Sequence, residues 1–300
     1  MVVDRGFWFV LATALISGVS IFLNKFGVAG MDAALFTTGK NVLVALLLIS
    51  TLFFLKERGA VRKLSKRDWS VLALIGLIGG SLPFLLFFTG LQLTSAAQGS
   101  LLHKMLFLWV VVLAALTLKE RVSKSMVAGI LLLLAGNLVL LKLTSFTFGL
   151  GDALILAATL FWAAEIVLSK HLLRLDHVSG RIVAAGRMGF GALFLLAYLF
   201  ATNKLALVAT LSSGAWGWIA LTSVLLYGYV FTFYEGLKRV PASVAAALLV
   251  LGTVVTTFLE FAWTGRITGL QVLGSALLLA GAIAIVGIRT VLPAPARARQ

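Results

Sequence analysis

Ten apolar stretches follow one another through this chain, separated only by short polar interruptions. They cover residues 6–26, 32–55, 69–90, 95–118, 124–143, 150–172, 180–201, 214–236, 241–264 and 269–290. Each is long enough to cross the hydrocarbon core of a bilayer as a helix, which takes about 20 residues. Hydrophobic residues make up 61% of the 300 positions and charged residues 12%, with a mean hydropathy of +1.10. A soluble domain carries about twice that charged share. A chain of this composition cannot cover its apolar surface in water, so lipid is its solvent and its backbone polar groups must pair within each segment. The expected fold is an all-α membrane protein of ten transmembrane helices.

The breaks fall at Gly30-Met31-Asp32, in the basic loop 56–68, at Ser123, at Asp176-His177, at Asn203-Lys204, at Pro241 and at Thr268-Gly269. Loop 56–68 carries Lys56, Arg58, Arg62, Lys63, Lys66 and Arg67. By the positive-inside rule it is cytoplasmic, which places both termini inside. The other inside segments then hold Arg5, Lys119, Arg121, Lys124, Lys170, Arg174, Arg181, Lys238, Arg239, Arg289, Arg297 and Arg299. The outside segments hold only Lys25, Lys142, Lys204 and Arg266. One misassigned helix would invert every later loop, so this bias supports ten passes. It also explains the net charge of +15 without nucleic acid, for which no basic helix or RNA-binding motif is present. Cysteine is absent, which excludes disulfides and thiolate chemistry. No signal-peptide core with a cleavage site precedes the first run, which reads as an uncleaved signal anchor. The expected location is the plasma (inner) membrane, and the tail 293–300 reads as a disordered cytoplasmic segment.

The two halves resemble each other at an offset of 145 or 146 residues. Gly18 with Asn24-Lys25 matches Ala163 with Ser169-Lys170; Gly129 and Gly136 match Gly274 and Gly281; Thr89-Gly90-Leu91 matches Glu235-Gly236-Leu237. Lys40 and Arg187 sit at corresponding places in the second helix of each half. Five helices per repeat force opposite orientations, so 1–145 and 146–292 read as inverted repeats, a design that transporters use for alternating access. With these features the chain resembles the drug/metabolite transporter superfamily, in particular its ten-helix EamA-type exporters. The resemblance rests on helices 1 and 6 ending in a small polar residue and Lys, on Leu91-Gln-Leu-Thr-Ser-Ala-Ala entering helix 4, and on Leu118-Lys-Glu120-Arg121 before helix 5. Two places depart from the family pattern: Gly265-Arg266, where a Glu is usual, and Ser17-Gly18, where Trp-Gly is usual, although Trp162 remains in helix 6. The resemblance implies export of small metabolites such as amino acids or drugs.

Ionisable groups in mid-membrane are costly and are functional candidates by default. Here they are Lys40, His103, Lys104, Glu165, Arg187 and Glu260. Helical rise brings Glu165 and Arg187 to a similar inner depth, so they are expected to face each other or to share a polar network. Lys40, His103, Lys104 and Glu260 lie nearer the outer surface, with Glu260 within reach of Lys40 or Lys104. His103 and Lys104, beside Gly99 and Ser100, read as cavity residues: the Lys for a carboxylate, the His for a proton near neutral pH. Glu165 suits an amine or a proton. Interhelical packing salt bridges are the competing assignment, above all for Lys40 and Arg187. Trp162, Phe84, Phe87, Tyr227 and Trp263 are candidates for an aromatic pocket wall, against plain packing. Ser17, Ser20 and Asn24 hold matching positions on helix 1. Gly76, Gly79, Gly80 and Pro83 suggest close helix contact followed by a kink, and the paired glycines at 129, 136, 274 and 281 read as packing surfaces.

The leading function is a secondary transporter of a small organic solute, with membrane lipid as its surroundings and protons as a candidate coupling ion. No cofactor or metal is expected. A Walker loop is missing, so ATP-driven transport by this chain alone is disfavoured. A membrane enzyme, such as an intramembrane protease or lipid transferase, is disfavoured because the chain has no His-Glu-x-x-His motif and no paired Asp in its helices. A non-transporting scaffold or receptor is the remaining alternative.

Overall fold

A computed structural model describes residues 5–27, 31–94, 99, 102–141 and 148–286. The tail 293–300, Lys142 and Ser100 lie outside these residues. Among them, seven helices are long and apolar enough to cross a membrane: Arg5–Asn24, Ala33–Phe54, Lys66–Gly90, Leu150–Leu173, Gly180–Ala201, Ser213–Arg239 and Ala242–Thr264. Three shorter apolar helices, Leu102–Thr117, Lys124–Leu140 and Gly269–Ile285, occupy the positions of the fourth, fifth and tenth expected spans.

The individual elements are α1 (Arg5–Gly27), α2 (Ala33–Phe54), α3 (Arg58–Arg62), α4 (Lys66–Gly80), α5 (Leu82–Gln92), α6 (Leu106–Thr117), α7 (Lys124–Leu141), α8 (Leu150–Leu173), α9 (Gly180–Ala201), α10 (Ser213–Arg239), α11 (Ala242–Leu249), α12 (Gly252–Thr264) and α13 (Gly269–Val286). A 3₁₀ turn, Leu205–Thr210, joins α9 to α10. Short polar residues start the helices by taking up N–H groups that have no intrahelical partner. Asp32 Oδ1 accepts from Ala34 N (2.9 Å) and Leu35 N (3.1 Å), while Ser65 and Asp68 form a reciprocal capping box on α4. Ser179 and Ser212 cap α9 and α10. Gly265, with φ of +67°, closes α12 in the left-handed conformation that glycine tolerates.

Among the described residues three expected spans are divided. The fourth breaks at Met105, after which α6 begins at Leu106. The third breaks at Ser81, where backbone angles of −138° and −72° separate α4 from α5. Pro83, just inside α5, causes the break, because its ring nitrogen has no proton to give the carbonyl of Gly79. The ninth divides between α11 and α12, a division the sequence does not announce; there Gly252 lets α1 come close, since a Cβ on it would stand 2.9 Å from Ala14 O. The third span also begins at Lys66 rather than 69, and the basic loop before it contains the one-turn helix α3.

The helices pack in pairs that correspond between the two halves. α1 lies along α10, as α8 lies along α4 and α5; α1 also packs on α11 and α12, as α8 packs on α6. α2 meets α10 as α9 meets α4, while α2 with α9, α6 with α11, and α7 with α13 pair across the halves. Small residues make these approaches possible, as expected where helices associate without a hydrophobic driving force between them. In α7 and α13 a Cβ on Gly129 would lie 2.6 Å from Gly281 O, and one on Gly136 2.9 Å from Gly274 O. The expected packing role of these glycines is thus met. Gly90 stands against Gly151 O, as Gly236 stands against Gly6 O.

Candidate functional site

The site begins with the broken helix. Without an N–H at Pro83, Gly79 O has no partner in its own helix, and Phe84 N turns instead to Ser81 O (3.0 Å), freeing Gly80 O. Buried carbonyls need donors, and three other helices supply them. Trp162 Nε1 of α8 (3.0 Å) and Arg187 Nη2 of α9 (2.8 Å) both donate to Gly79 O. Asn41 Nδ2 of α2 donates to Gly80 O (2.8 Å). The kink therefore fixes the positions of two residues picked out by sequence, Trp162 and Arg187.

Glu165 stands beside them. It is 2% exposed and Arg187 7% exposed. Arg187 Nε lies 3.7 Å from Glu165 Oε2, as expected from their depths. Glu165 Oε1 accepts from Tyr234 Oη (2.5 Å) and Ser169 Oγ (2.6 Å). The place of Gly79 is sterically fixed: a Cβ there would lie 2.2 Å from Glu165 Cγ and 3.1 Å from Arg187 Nε. A carboxylate with hydroxyl donors on one oxygen and a guanidinium near the other is a stable buried arrangement, because each charge keeps both a counter-ion and hydrogen bonds.

An aromatic wall adjoins this pair. His103 packs on Phe87 (centroids 5.1 Å) and on Trp162 (5.3 Å), and Phe84 meets Trp162 edge-on at 5.2 Å. His103 and Lys104 are both half-buried, and the ring contacts turn His103 inward rather than toward lipid. Among the described residues neither forms an ion pair.

Lys40 sits in the matching network of the other half. Its Nζ donates to Asn24 Oδ1 (2.8 Å) and lies 4.8 Å above the Phe36 ring, while Asn24 Nδ2 donates to Ser20 Oγ (3.1 Å). Ser20, Asn24 and Lys40 correspond in sequence to Glu165, Ser169 and Arg187, so the same three-point arrangement is ionic in one half and carries a lone cation in the other.

Three expectations need adjustment. Among the described residues Glu260 makes no ion pair with Lys40 or Lys104. Trp263 is 71% exposed and packs on Phe22 and Phe26 at the end of α12, so it belongs to the outer surface. Tyr227 does not join the cluster: its hydroxyl meets Thr51 Oγ1 (2.8 Å) and its ring stacks on Phe231.

The sequence missed Tyr234 altogether and missed the contacts made by other charged residues it had named. Tyr234 gave no signal beyond its place on an apolar helix. Glu120 crosses between halves to cap α11, accepting from Ala242 N (2.7 Å), Ser243 N (3.1 Å) and Ser243 Oγ (2.5 Å). Lys170 donates to the carbonyls of Leu237 (2.7 Å) and Val240 (2.8 Å), closing the end of α10. At the opposite end, Lys204 Nζ binds Asp32 Oδ2 at 2.8 Å beside a small polar pocket of about 140 Å³ that Phe84 also lines. Partial burial works against ionisation of Asp32, but the Lys204 hydrogen bond and the two α2 N–H donors outweigh it and hold its pKa below the usual carboxylate value. The same hydrogen bond holds Lys204 above the ordinary lysine value.

The model of the EamA-like transporter family matches residues 4–142 and again 149–287. The chain belongs to the EamA-like transporter family. A Bacillus subtilis (strain 168) protein named Uncharacterized transporter YyaM is 26% identical over 291 residues, covering 93% of this chain and 92% of its own. An uncharacterized transporter of Methanothermobacter thermautotrophicus is 26% identical over 280 residues, covering 85% and 78%. A crystal structure with 23% identity covers 93% of this chain and 94% of its own with a TM-score of 0.74, a likeness of fold. This EamA-like chain is accordingly a multi-pass membrane protein from a family of transporters, and its relatives are named for transport rather than for catalysis.

Proposed function

We propose that this protein is a secondary transporter that exports a small organic solute by alternating access, with ten transmembrane helices arranged as two inverted repeats. The interchangeable helix pairing of the two halves supports the inverted arrangement. Both termini then face the cytoplasm at the plasma membrane, in keeping with the basic loop 56–68.

The observation that carries the site assignment is an imbalance of charge. Glu165 and Arg187 neutralise each other, whereas Lys40 and Lys104 have no carboxylate partner among the described residues. An unpaired ammonium inside a membrane is expensive, and a substrate carboxylate relieves the cost. With the aromatic wall of Phe84, Phe87, His103 and Trp162 alongside, the preferred solute has a carboxylate and an apolar or aromatic body, as many amino acids do. Lys104 takes the carboxylate, Trp162 and His103 flank the body, and Glu165 with Arg187 holds the floor to the kinked helix. A proton is the candidate coupling ion.

The test is counterflow in proteoliposomes against a panel of amino acids and other organic acids, with and without a pH gradient. Saturable uptake of carboxylates is expected, lost in Lys104→Met while the folded fraction is unchanged. Absence of flux with every compound would favour the scaffold alternative. Unchanged flux in Lys104→Met would remove the site assignment alone.

A further inference from the structure

A second site lies on the outside of the bundle. α2, α4 and α9 leave between them a lateral groove of about 740 Å³, within the range of about 300–1,000 Å³ typical of ligand pockets. Its length is apolar: Ile49, Trp69 and Leu193 line it and are 40%, 42% and 61% exposed. Its floor is open at Gly189, where an added Cβ would meet nothing within 4 Å. Any acyl chain fills such a groove in a bilayer, so selectivity must come from its mouth.

The mouth is cationic. Arg58 and Arg62, one turn apart on α3, both line it. The Arg58 guanidinium is held 4.4 Å above the Phe53 ring at the end of α2. Among the described residues neither arginine has an acidic partner. The two nearby acids are taken: Glu57 accepts from Ser179 Oγ (2.6 Å) and pairs with Arg181, and Asp68 is engaged by Ser65 and by His177 (3.2 Å). Two unpaired guanidiniums above an apolar trough complement a phosphate joined to acyl chains. Basic segments beside a membrane helix draw anionic lipids in the same way.

We propose that this groove binds an anionic phospholipid of the adjoining leaflet, its phosphate on Arg58 and Arg62 and an acyl chain along α9 over Gly189. The site requires only that α2 and α9 cross the bilayer, not that a solute is carried.

Native mass spectrometry of the full chain, purified with equimolar phosphatidylglycerol and phosphatidylcholine, tests it. Phosphatidylglycerol should be retained preferentially. Each arginine removed should lower that preference about fivefold, so that Arg58→Gln with Arg62→Gln nearly abolishes it. Gly189→Leu should reduce retained phosphatidylglycerol without touching a charge, while Lys119→Gln with Arg121→Gln should leave the preference as it was. Equal retention of the two lipids by the unaltered protein would overturn the proposal. So would an unchanged preference in the arginine variant, an equal loss in the Lys119 and Arg121 control, or full retention in Gly189→Leu, which stays informative if the arginine variant fails to fold.

Discussion

Neutralising Glu165 while keeping its shape should expose how strongly the centre of this bundle depends on one ion pair. Arg187 Nε and Glu165 Oε2 are 3.7 Å apart, and both side chains are more than nine-tenths buried. At an effective dielectric constant of about 20, charges at that distance attract by about 4 kcal/mol. Glu165→Gln keeps an acceptor for Tyr234 and Ser169 but leaves Arg187, among the described residues, with the acceptors Gly79 O and Met188 Sδ. A stranded buried charge costs about 3–5 kcal/mol. Arg187→Met strands a carboxylate that still has two hydroxyl donors, so its cost should fall at the lower end of that range. The double variant strands neither charge, and its loss should fall short of the sum of the single losses by about 2–4 kcal/mol. Reversible SDS titration of the four proteins in mixed micelles, followed by circular dichroism, measures this coupling. A value under about 0.5 kcal/mol, the level at which independent sites simply add, would refute the pair as the organising interaction and leave its spacing a packing accident.

Other outcomes follow from the same geometry. Gly79→Ala forces a methyl to 2.2 Å from Glu165 Cγ, and should destabilise by about 1–3 kcal/mol as overpacking does, measured in the same titration. Gly129→Ala should loosen α7 from α13 by a similar amount, because its Cβ would stand 2.6 Å from a carbonyl oxygen that cannot yield. Glu120→Ala removes the cap of α11 and should cost about 0.5–2 kcal/mol, seen as faster amide exchange at Ala242 and Ser243. The Asp32–Lys204 pair is a partly exposed bridge worth less than about 1 kcal/mol. Its carboxylate contribution is present above the unfolded value of 3.8 and lost as pH falls through the lower folded value. Its lysine contribution is present below 10.5 and lost as pH rises through the higher folded value. Lys204→Met should therefore lower the melting temperature slightly at pH 7, and by less as pH falls through the lowered Asp32 value.

Sequence reached the long apolar helices because hydropathy reports directly on solvent. It reached the Glu165–Arg187 contact because helical rise converts position into depth. Pro83 was legible as a kink, but its consequence for Gly79 O depends on which helices lie across from it, and composition does not give that. Tyr234 was invisible for the same reason: on an apolar helix a tyrosine reads as packing until its hydroxyl is found on a carboxylate. Tyr227 misled in the opposite direction, since the hydroxyl of Thr51 satisfies it away from the cluster. The break between α11 and α12 had no proline to mark it, and the depth expected for Glu260 brought it no ion pair among the described residues.

The carbonyls bared at the kink have a further consequence. Gly79 O and Gly80 O take their donors from α2, α8 and α9, so four helices meet at a single peptide turn. If α9 swings away from α4, the hydrogen bond from Arg187 to Gly79 O parts, and water that enters the gap can take its place. Movement between the halves and wetting of the membrane interior would then be one event, with a dry, locked centre at one extreme and a hydrated, pliable one at the other.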